Sequence, residues 1–321
     1  MSPEQGRGVA ARLSIQREVS AAIAAGRAVV ALESTLISHG LAYPDSLAVA
    51  SASEAAVRES GAVPATVAVH DGRLLIGLEA AQLEALATAE RGSVMKAARP
   101  SLGVAIHRGG WAATTVSATM IAAHAAGIRV FATGGIGGVH QPASGAGPSL
   151  DISSDLDELA RTPMVVVCAG PKAILDVPNT LEVLETRGVP VVALGQADLP
   201  GFYARSAGLP APHSVPDEDA AAALVATHFN LGLGSGLLLC VPVPSDVALP
   251  EAEARAAVFQ ATADAEAAGI HGPDLTPWLL ARIATITDGR SVRANTALIV
   301  NNARVGGRLA VALVARSAEH R

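Results

Sequence analysis

The sequence is poor in aromatic residues, in charge and in cysteine, and each shortage excludes a class of protein. Aromatic residues make up 2% of the 321 residues, so extensive stacking on nucleic-acid bases is not expected. The net charge of -6 offers no basic surface for a phosphate backbone. Cys168 and Cys240 are the only cysteines, each inside an apolar run, which excludes a disulfide framework. We therefore expect a cytoplasmic protein in a reducing compartment, with no nucleic-acid partner.

Long apolar runs are missing as well. The first twenty residues contain no apolar core of the kind that a signal peptide needs. Further along, Gly, Pro or a charge interrupts each run before the roughly 18–20 residues of a membrane-spanning helix. We expect no membrane partner.

Half of the residues are nevertheless apolar, and they alternate between two patterns. Short continuous runs, typical of strands covered on both faces, are separated by Ala-rich stretches with helical spacing. This predicts a three-layer α/β/α sandwich with a mostly parallel sheet, in one domain over residues 1–321. The predicted strands are 28–32, 66–70, 74–77, 103–106, 129–133, 164–169, 189–194 and 236–243. Asp71-Gly72 predicts a hairpin between two of them, which makes the sheet mixed.

Candidate functional residues follow the predicted strands. Glu33 comes after AVVAL, Lys172 after VVVCAG, and the loop TGGIGG (133–138) after RVFA, with Asp151 and Asp155 beyond it. Ligands of open α/β sheets bind at the carboxyl ends of the strands, so these groups would share one rim if their strands were neighbours.

Each candidate allows a structural and a chemical interpretation. Glu33 is either a cap or ion-pair carboxylate, or a general acid with a raised pKa. Lys172 is either solvated, or desolvated and nucleophilic. Asp151 is either the N-cap of a helix that has Asp155 in its first turn, or a ligand of Mg²⁺ or Mn²⁺. The histidines form no zinc motif, and no GxSxG elbow or nucleotide-binding glycine loop is present.

Six segments, in order, resemble the pseudouridine-5'-phosphate glycosidase family, also described as indigoidine-synthase-A-like. They are ALESTLISHGLAYP, GAVPATVAVHDG, ATTVSATMIAAHAAGIRVFATGGIGGVH, DISSDLDELA, VVVCAGPKAILD and ANTALIVNNARVGGRLAVAL. The resemblance implies reversible cleavage of pseudouridine 5'-phosphate to uracil and ribose 5-phosphate, with one Mn²⁺ (or another divalent cation) per subunit of a homotrimer. It implies Glu33 as proton donor, Lys172 as the covalent residue and Asp151 as metal ligand. The implied substrate-binding residues are Lys96, Val116, Ser153, Ser154, Asp155, His140 and Asn295.

The chemistry of a carbon–carbon glycosidic bond suits a lysine. A glycosidase with two carboxylates protonates a leaving-group oxygen, which this substrate lacks. An amine that forms an imine at C1' of the opened sugar supplies an electron sink, and protonation of uracil at C5 lets the bond break. In this hypothesis Glu33 shuttles protons, while the metal at Asp151, Lys96 and helix N–H groups hold the phosphate.

One segment departs from the family pattern, and other functions stay open. Between GGVH and DIS the loop 138–150 is rich in Gly and Pro, and Gln141 stands where the resemblance predicts a basic residue. The first alternative is a Schiff-base lyase or glycosidase for another sugar phosphate, for example in pigment biosynthesis. An aldolase and a non-catalytic metabolite-binding protein are the others.

Overall fold

A mixed β-sheet runs through the centre of the computed structural model, which describes residues 8–90, 92–141, 149–270 and 275–319. Within these residues eleven strands form the order β1-β4-β3-β2-β7-β8-β11-β9-β10, with β6 paired to β3 and β5 to β6. The strands are β1 Leu13–Ile15, β2 Val29–Leu32, β3 Val63–His70, β4 Arg73–Ile76, β5 Met95–Ala97, β6 Ala112–Thr114, β7 Val130–Ala132, β8 Val165–Cys168, β9 Val191–Leu194, β10 His213–Val215 and β11 Leu237–Cys240.

The predicted hairpin is the reason that the sheet is mixed. β3 and β4 pair antiparallel, with His70 opposite Arg73. The two residues between them, Asp71 and Gly72, have φ values of 49° and 69°, which is the left-handed backbone of a tight hairpin turn. β6 is also antiparallel to β3. From β3 through β10 the path of the sheet is parallel, as predicted.

Helices cover both faces of the sheet and confirm the three layers. They are α1 Arg17–Ala24, α2 Asp45–Glu59, α3 Ala80–Thr88, α4 Leu102–Arg108, α5 Val116–Ala125, α6 Ser154–Leu159, α7 Val177–Thr186, α8 Glu218–Asn230, α9 Glu251–Ala267, α10 Leu275–Ile286 and α11 Arg290–Glu319. One apolar layer joins the sheet to α1, α5, α6 and α7. The other joins it to α2, α8 and α11.

The predicted strand at 103–106 is wrong, because this segment is the helix α4. Leu102 and Ala105 are buried three residues apart, whereas Val104 is 47% exposed, which is the spacing of a helix with one buried face. The helix ends at Gly109, whose φ of 77° suits the left-handed C-terminal position. A four-residue apolar run is too short to distinguish the two structures by pattern.

One helix is longer and more apolar than the interrupted runs of the sequence suggested. The most apolar 18-residue window of the segment Arg290–Ser317 in α11 has a mean hydropathy of 1.3, and the segment is long enough to cross a membrane. Half of the most apolar window is buried inside the protein, where Ala303 and Leu309 join the layer formed with α2, α8 and the sheet. This burial accounts for the apolar character of α11 as that of a core helix.

Candidate active site

Three neighbouring parallel strands bring the predicted catalytic residues to one rim of the sheet. β2, β7 and β8 lie side by side, and Glu33, Thr133 and Lys172 follow their carboxyl ends. The Thr133 hydroxyl donates a hydrogen bond to Oε1 of Glu33. The backbone N–H of Lys172 donates to the carbonyl of Ile136, at 3.1 Å, and so ties the loop after β8 to the glycine-rich loop after β7. The predicted convergence is confirmed.

The residues that follow Glu33 fasten its loop to β6. The Ser34 hydroxyl accepts a hydrogen bond from the backbone N–H of Thr114 at 2.9 Å, and the Thr35 hydroxyl donates to the Thr114 carbonyl at 2.8 Å. Thr114 itself donates to the carbonyl of Val67 in β3, at 2.7 Å. Because Ser34 and Thr114 are fully buried, these bonds fix the backbone on which Glu33 is carried.

The Glu33 carboxyl is held in a setting that favours its protonated form. Burial raises its pKa, and the charge of Asp155 acts in the same direction. The nearby charges of Lys172 and Lys96 and the hydrogen bond from Thr133 offset part of this effect. A carboxyl group of this kind keeps its proton at a higher pH than an exposed one and is suited to act as a general acid.

Lys96 and His39 complete the cluster of ionisable groups near Glu33. Lys96 lies on β5, and burial and the charge of Lys172 lower its pKa, while Glu33 and Asp155 oppose this. Burial and the charge of Lys96 lower the pKa of His39, which lies on a one-turn π-helix, Leu36–Gly40. The sequence reasoning assigned no role to His39.

The helix α6 begins at a different residue from the one predicted, and the carboxylate of Asp155 in its first turn has a structural role. Its N-cap is Ser153, not Asp151; the Ser153 hydroxyl accepts from the backbone N–H of Asp155. The buried Asp155 carboxylate accepts the backbone N–H groups of Ser117 and Gly137, both at 2.9 Å. Asp155 therefore joins α6, the start of α5 and the glycine-rich loop.

Two of the predicted substrate-binding residues lie beside Asp155. The Ser154 hydroxyl lies 3.1 Å from that of Ser117, at the first turn of α5. Val116 is the first residue of α5, and its side chain is 2% exposed within the core.

Asp151 and His140 lie at the edge of this cluster. The Asp151 side chain is exposed, its carbonyl accepts from the backbone N–H of His140, and its own N–H donates to the Ser149 hydroxyl. Over the described ranges, no three His, Cys, Asp or Glu side chains come together as a metal cage. An ion here would have one protein carboxylate and several waters, which suits Mg²⁺ or Mn²⁺ better than zinc.

Of the loop 138–150, residues 142–148 lie outside the described residues. At its start the Gln141 side chain donates to the carbonyl of Leu175, at 3.2 Å. Gln141 thus joins the described start of this loop to the segment after Lys172.

Asn302, which the sequence reasoning missed, secures the loop after β7. Its side-chain amide is fully buried and donates to the carbonyls of Thr133, at 2.8 Å, and Gly134, at 3.3 Å. Asn295, which the sequence reasoning chose, is half-buried on the same helix, and its side chain forms no hydrogen bond to the described residues. The position of Asn302 within an apolar helix is the signal that could have identified it, since a buried amide needs hydrogen-bond partners.

The glycines of the TGGIGG loop are required by packing against neighbours. A Cβ on Gly137 would lie 2.3 Å from the Ser153 hydroxyl oxygen, and one on Gly138 would lie 2.4 Å from that of Thr180. A Cβ on Gly135 would overlap the ring of Phe202, at 2.6 Å. The loop can therefore fit between these residues only without side chains at these positions.

Comparison with known proteins places this geometry in a family. The family described as "Indigoidine synthase A like protein" matches residues 18–312. A pseudouridine-5'-phosphate glycosidase of Paracoccus denitrificans is 52% identical, over 94% of this chain and 98% of its own. One of Caldanaerobacter subterraneus is 49% identical, over 94% of this chain and 96% of its own.

Two solved structures share the fold. The prealnumycin C-glycosynthase AlnA, in complex with ribulose 5-phosphate, has a TM-score of 0.87 at 38% identity and covers 96% of this chain and 98% of its own. An indigoidine synthase A-like protein of Thermotoga maritima has a TM-score of 0.82 at 29% identity, covering 94% and 97%. The site lies within the matched residues, and the chain belongs to the indigoidine synthase A-like family.

Proposed function

We propose that this protein cleaves pseudouridine 5'-phosphate, reversibly, to uracil and ribose 5-phosphate. The observation that carries the proposal is the meeting of Glu33, with its raised pKa, and Lys172 at the carboxyl ends of β2 and β8, the two strands that flank β7. The names of relatives about half identical over 94% of the chain support the choice of substrate. Fold alone would not support it, since α/β sandwiches host many activities.

The proposed reaction forms one covalent intermediate on Lys172. Glu33 gives a proton to the ring oxygen as the C1'–O4' bond breaks, and the Lys172 amine bonds to C1' and releases a proton. A proton then adds to C5 of uracil. The nitrogen lone pair forms the C1'=N bond, and the electrons of the C1'–C5 bond return to the uracil ring. Water adds to the imine and releases ribose 5-phosphate and the free amine.

The arrangement of carboxylates favours the lysine over the route of ordinary glycosidases. That route needs two working carboxylates on opposite sides of the sugar. Glu33 is one, but the buried Asp155 carboxylate is already bonded to the backbone N–H groups of Ser117 and Gly137. Asp155 is therefore occupied as a support of the loop and is not free to act as a nucleophile.

The phosphate and the metal belong to the same proposal. Lys96 supplies positive charge beside the cluster, and Ser153 and Ser154 stand at the start of α6. Asp151, with its exposed carboxylate, would hold a hydrated Mn²⁺, which would supply charge to neutralise the phosphate when bound. The cytoplasmic homotrimer that the family resemblance implies is part of this proposal too.

A second candidate is the synthesis or cleavage of another C-linked sugar phosphate. The similarity to a C-glycosynthase in complex with ribulose 5-phosphate favours it, at a TM-score of 0.87. Both candidates use Lys172 and Glu33 and differ in the aglycone. Assay of a panel of aglycones with pentose 5-phosphates separates them.

The test is borohydride trapping with ribose 5-phosphate and Mn²⁺, read by peptide mass mapping. The chain has two lysines, Lys96 and Lys172, so each is the control for the other. We expect the reduced pentose phosphate on Lys172, and its loss in Lys172→Ala but not in Lys96→Ala at saturating sugar. A protein that cleaves pseudouridine 5'-phosphate but traps no sugar would refute the imine. A folded protein with neither reaction would refute the substrate.

A further inference from the structure

A small cavity lies behind Glu33, on the side of the sheet covered by α2 and α11. Its volume is about 10 Å³, and its polar lining consists of Glu33, Ser53, Thr66 and Thr133. The remaining lining side chains are apolar. A cavity needs at least about 10–15 Å³ to hold one water molecule, which needs two to four polar partners. The volume of this cavity is at the lower end of that range, and four polar residues line it.

Thr66 stands between this cavity and a second carboxyl group. It lies on β3, opposite Leu32 of β2, and is 2% exposed. Its hydroxyl donates to Oε1 of Glu54 at 2.5 Å. Burial raises the pKa of Glu54, while the hydrogen bond from Thr66 and the charge of Arg58 lower it. Glu54 is thus a carboxyl group that can carry a proton.

Glu54 reaches towards the surface of the protein. It is half-buried on α2, one turn before Arg58, which forms a two-fold ion pair with Glu18. Both side chains of that pair are exposed to solvent. Glu33 and Thr66 line the cavity, Thr66 is bonded to Glu54, and Glu54 is partly exposed, so these polar groups form a series from Glu33 towards solvent.

We propose that a water molecule in this cavity, Thr66 and Glu54 form a proton relay that connects Glu33 with solvent. The relay rests on the proposed function, in which Glu33 donates protons while substrate fills the side of the site next to Lys172. After Glu33 has donated, the water gives it one proton and takes one from the Thr66 hydroxyl. Thr66 takes the proton of Glu54, and solvent reprotonates Glu54. Each group gains one proton and loses one, and the direction reverses in synthesis.

The resting hydrogen bond fits one end of this cycle. With Glu54 ionised, Thr66 donates to it, as the structure shows. Once Glu54 is protonated, the bond reverses, and the Thr66 hydroxyl turns its hydrogen towards the cavity. A hydroxyl can make this change because it both donates and accepts. Valine has nearly the same shape as threonine and can do neither.

The test compares Thr66→Val with Thr66→Ser, which keeps the hydroxyl. A positioned proton donor contributes about 10²–10⁴-fold to a rate, so loss of the relay is expected to lower kcat at least about tenfold with KM unchanged. Thr66→Ser should restore most of kcat, and Glu54→Gln should resemble Thr66→Val. The effect on kcat in D₂O should increase in Thr66→Val, as proton delivery becomes rate-limiting.

A matched control is Thr162→Val, which removes another buried threonine-to-glutamate hydrogen bond, to Glu158, near the opposite end of the strands. It should lose stability without a change in the isotope effect. The relay is wrong if the activities of Thr66→Val and Thr66→Ser fall only in proportion to their loss of unfolding free energy, and if kcat and KM change together. A wild-type protein that does not cleave pseudouridine 5'-phosphate would instead refute the proposed function.

The water itself gives a readout that needs no turnover. A crystal structure at high resolution should show it within hydrogen-bond distance of Glu33 and Thr66. A dry cavity there overturns the relay whatever the activity of the protein.

Discussion

Replacing Asp155 by Asn tests whether this carboxylate is a structural support. The two oxygens of Asp155 accept the backbone N–H groups of Ser117 and Gly137, each at 2.9 Å, and the side chain is buried. An asparagine keeps one acceptor and turns an N–H₂ group towards the second backbone N–H. Since a hydrogen bond to a charged group contributes about 1.5–3 kcal/mol, we expect Asp155→Asn to lower the free energy of unfolding by about 3 kcal/mol.

The assay is urea unfolding at neutral pH, with Asp151→Asn as the matched control. Asp151 lies four residues earlier with an exposed carboxylate, so its variant should unfold within about 0.5 kcal/mol of wild type, as surface substitutions usually do. The dependence of turnover on metal should show the opposite pattern, with Asp151→Asn as the affected variant. Asp151→Asn should need a higher Mn²⁺ concentration, whereas Asp155→Asn should keep its metal dependence in the fraction that is folded.

A destabilised Asp151→Asn and a stable Asp155→Asn would contradict this role of Asp155. An Asp155→Asn protein as stable as wild type would show that the buried carboxylate does not hold the loop and α5 together. It would then return Asp155 to the substrate-binding role that the family resemblance implies.

Four further results are expected. Burial raises the pKa of Glu33, so the neutral carboxyl contributes fully to the free energy of unfolding below its unfolded-state pKa, and this contribution is lost as the pH rises through its folded-state pKa. Glu33→Gln should therefore be more stable than wild type in thermal melts at alkaline pH, equally stable in acid, and inactive. Asn302→Leu removes the donor from two carbonyls and should cost about 2–3 kcal/mol in urea, with a lower kcat. Gly137→Ala should lower kcat and the melting temperature together, whereas Gly188→Ala, with nothing near its Cβ, should change only the latter. Chelation with EDTA should raise KM and leave thermal stability unchanged, since no cage of three ligands exists in the described ranges; a fall in stability without metal would contradict this.

The sequence was sufficient to place Glu33 and Lys172, the proposed catalytic residues, at one rim, because of a general property of parallel sheets. Glu33 and Lys172 follow strongly apolar runs, and the carboxyl ends of parallel strands share one rim. That the strands β2, β7 and β8 are neighbours depends on long-range pairing, which no local pattern reveals. The family motifs, rather than periodicity, supplied the remaining site residues.

The supports of the site were beyond the sequence reasoning for a different reason. Thr114, Thr133 and Asn302 are neutral residues in apolar segments, and their partners lie 80, 100 and 169 positions away. Such residues act through hydrogen bonds that exist only in the folded chain. The wrong N-cap has a local cause, since DISS offers an aspartate and two serines, each of which can cap a helix.

The position of Asn302 in α11 has a consequence for the order of folding. This helix is synthesised after every strand, yet its amide fixes the loop that carries Thr133 and, through it, Glu33. Contacts between residues so distant in sequence form slowly, because the loop must close before the contact stabilises it. In refolding, helical and sheet signals should therefore return before catalytic activity does, with the docking of α11 as the step that separates them.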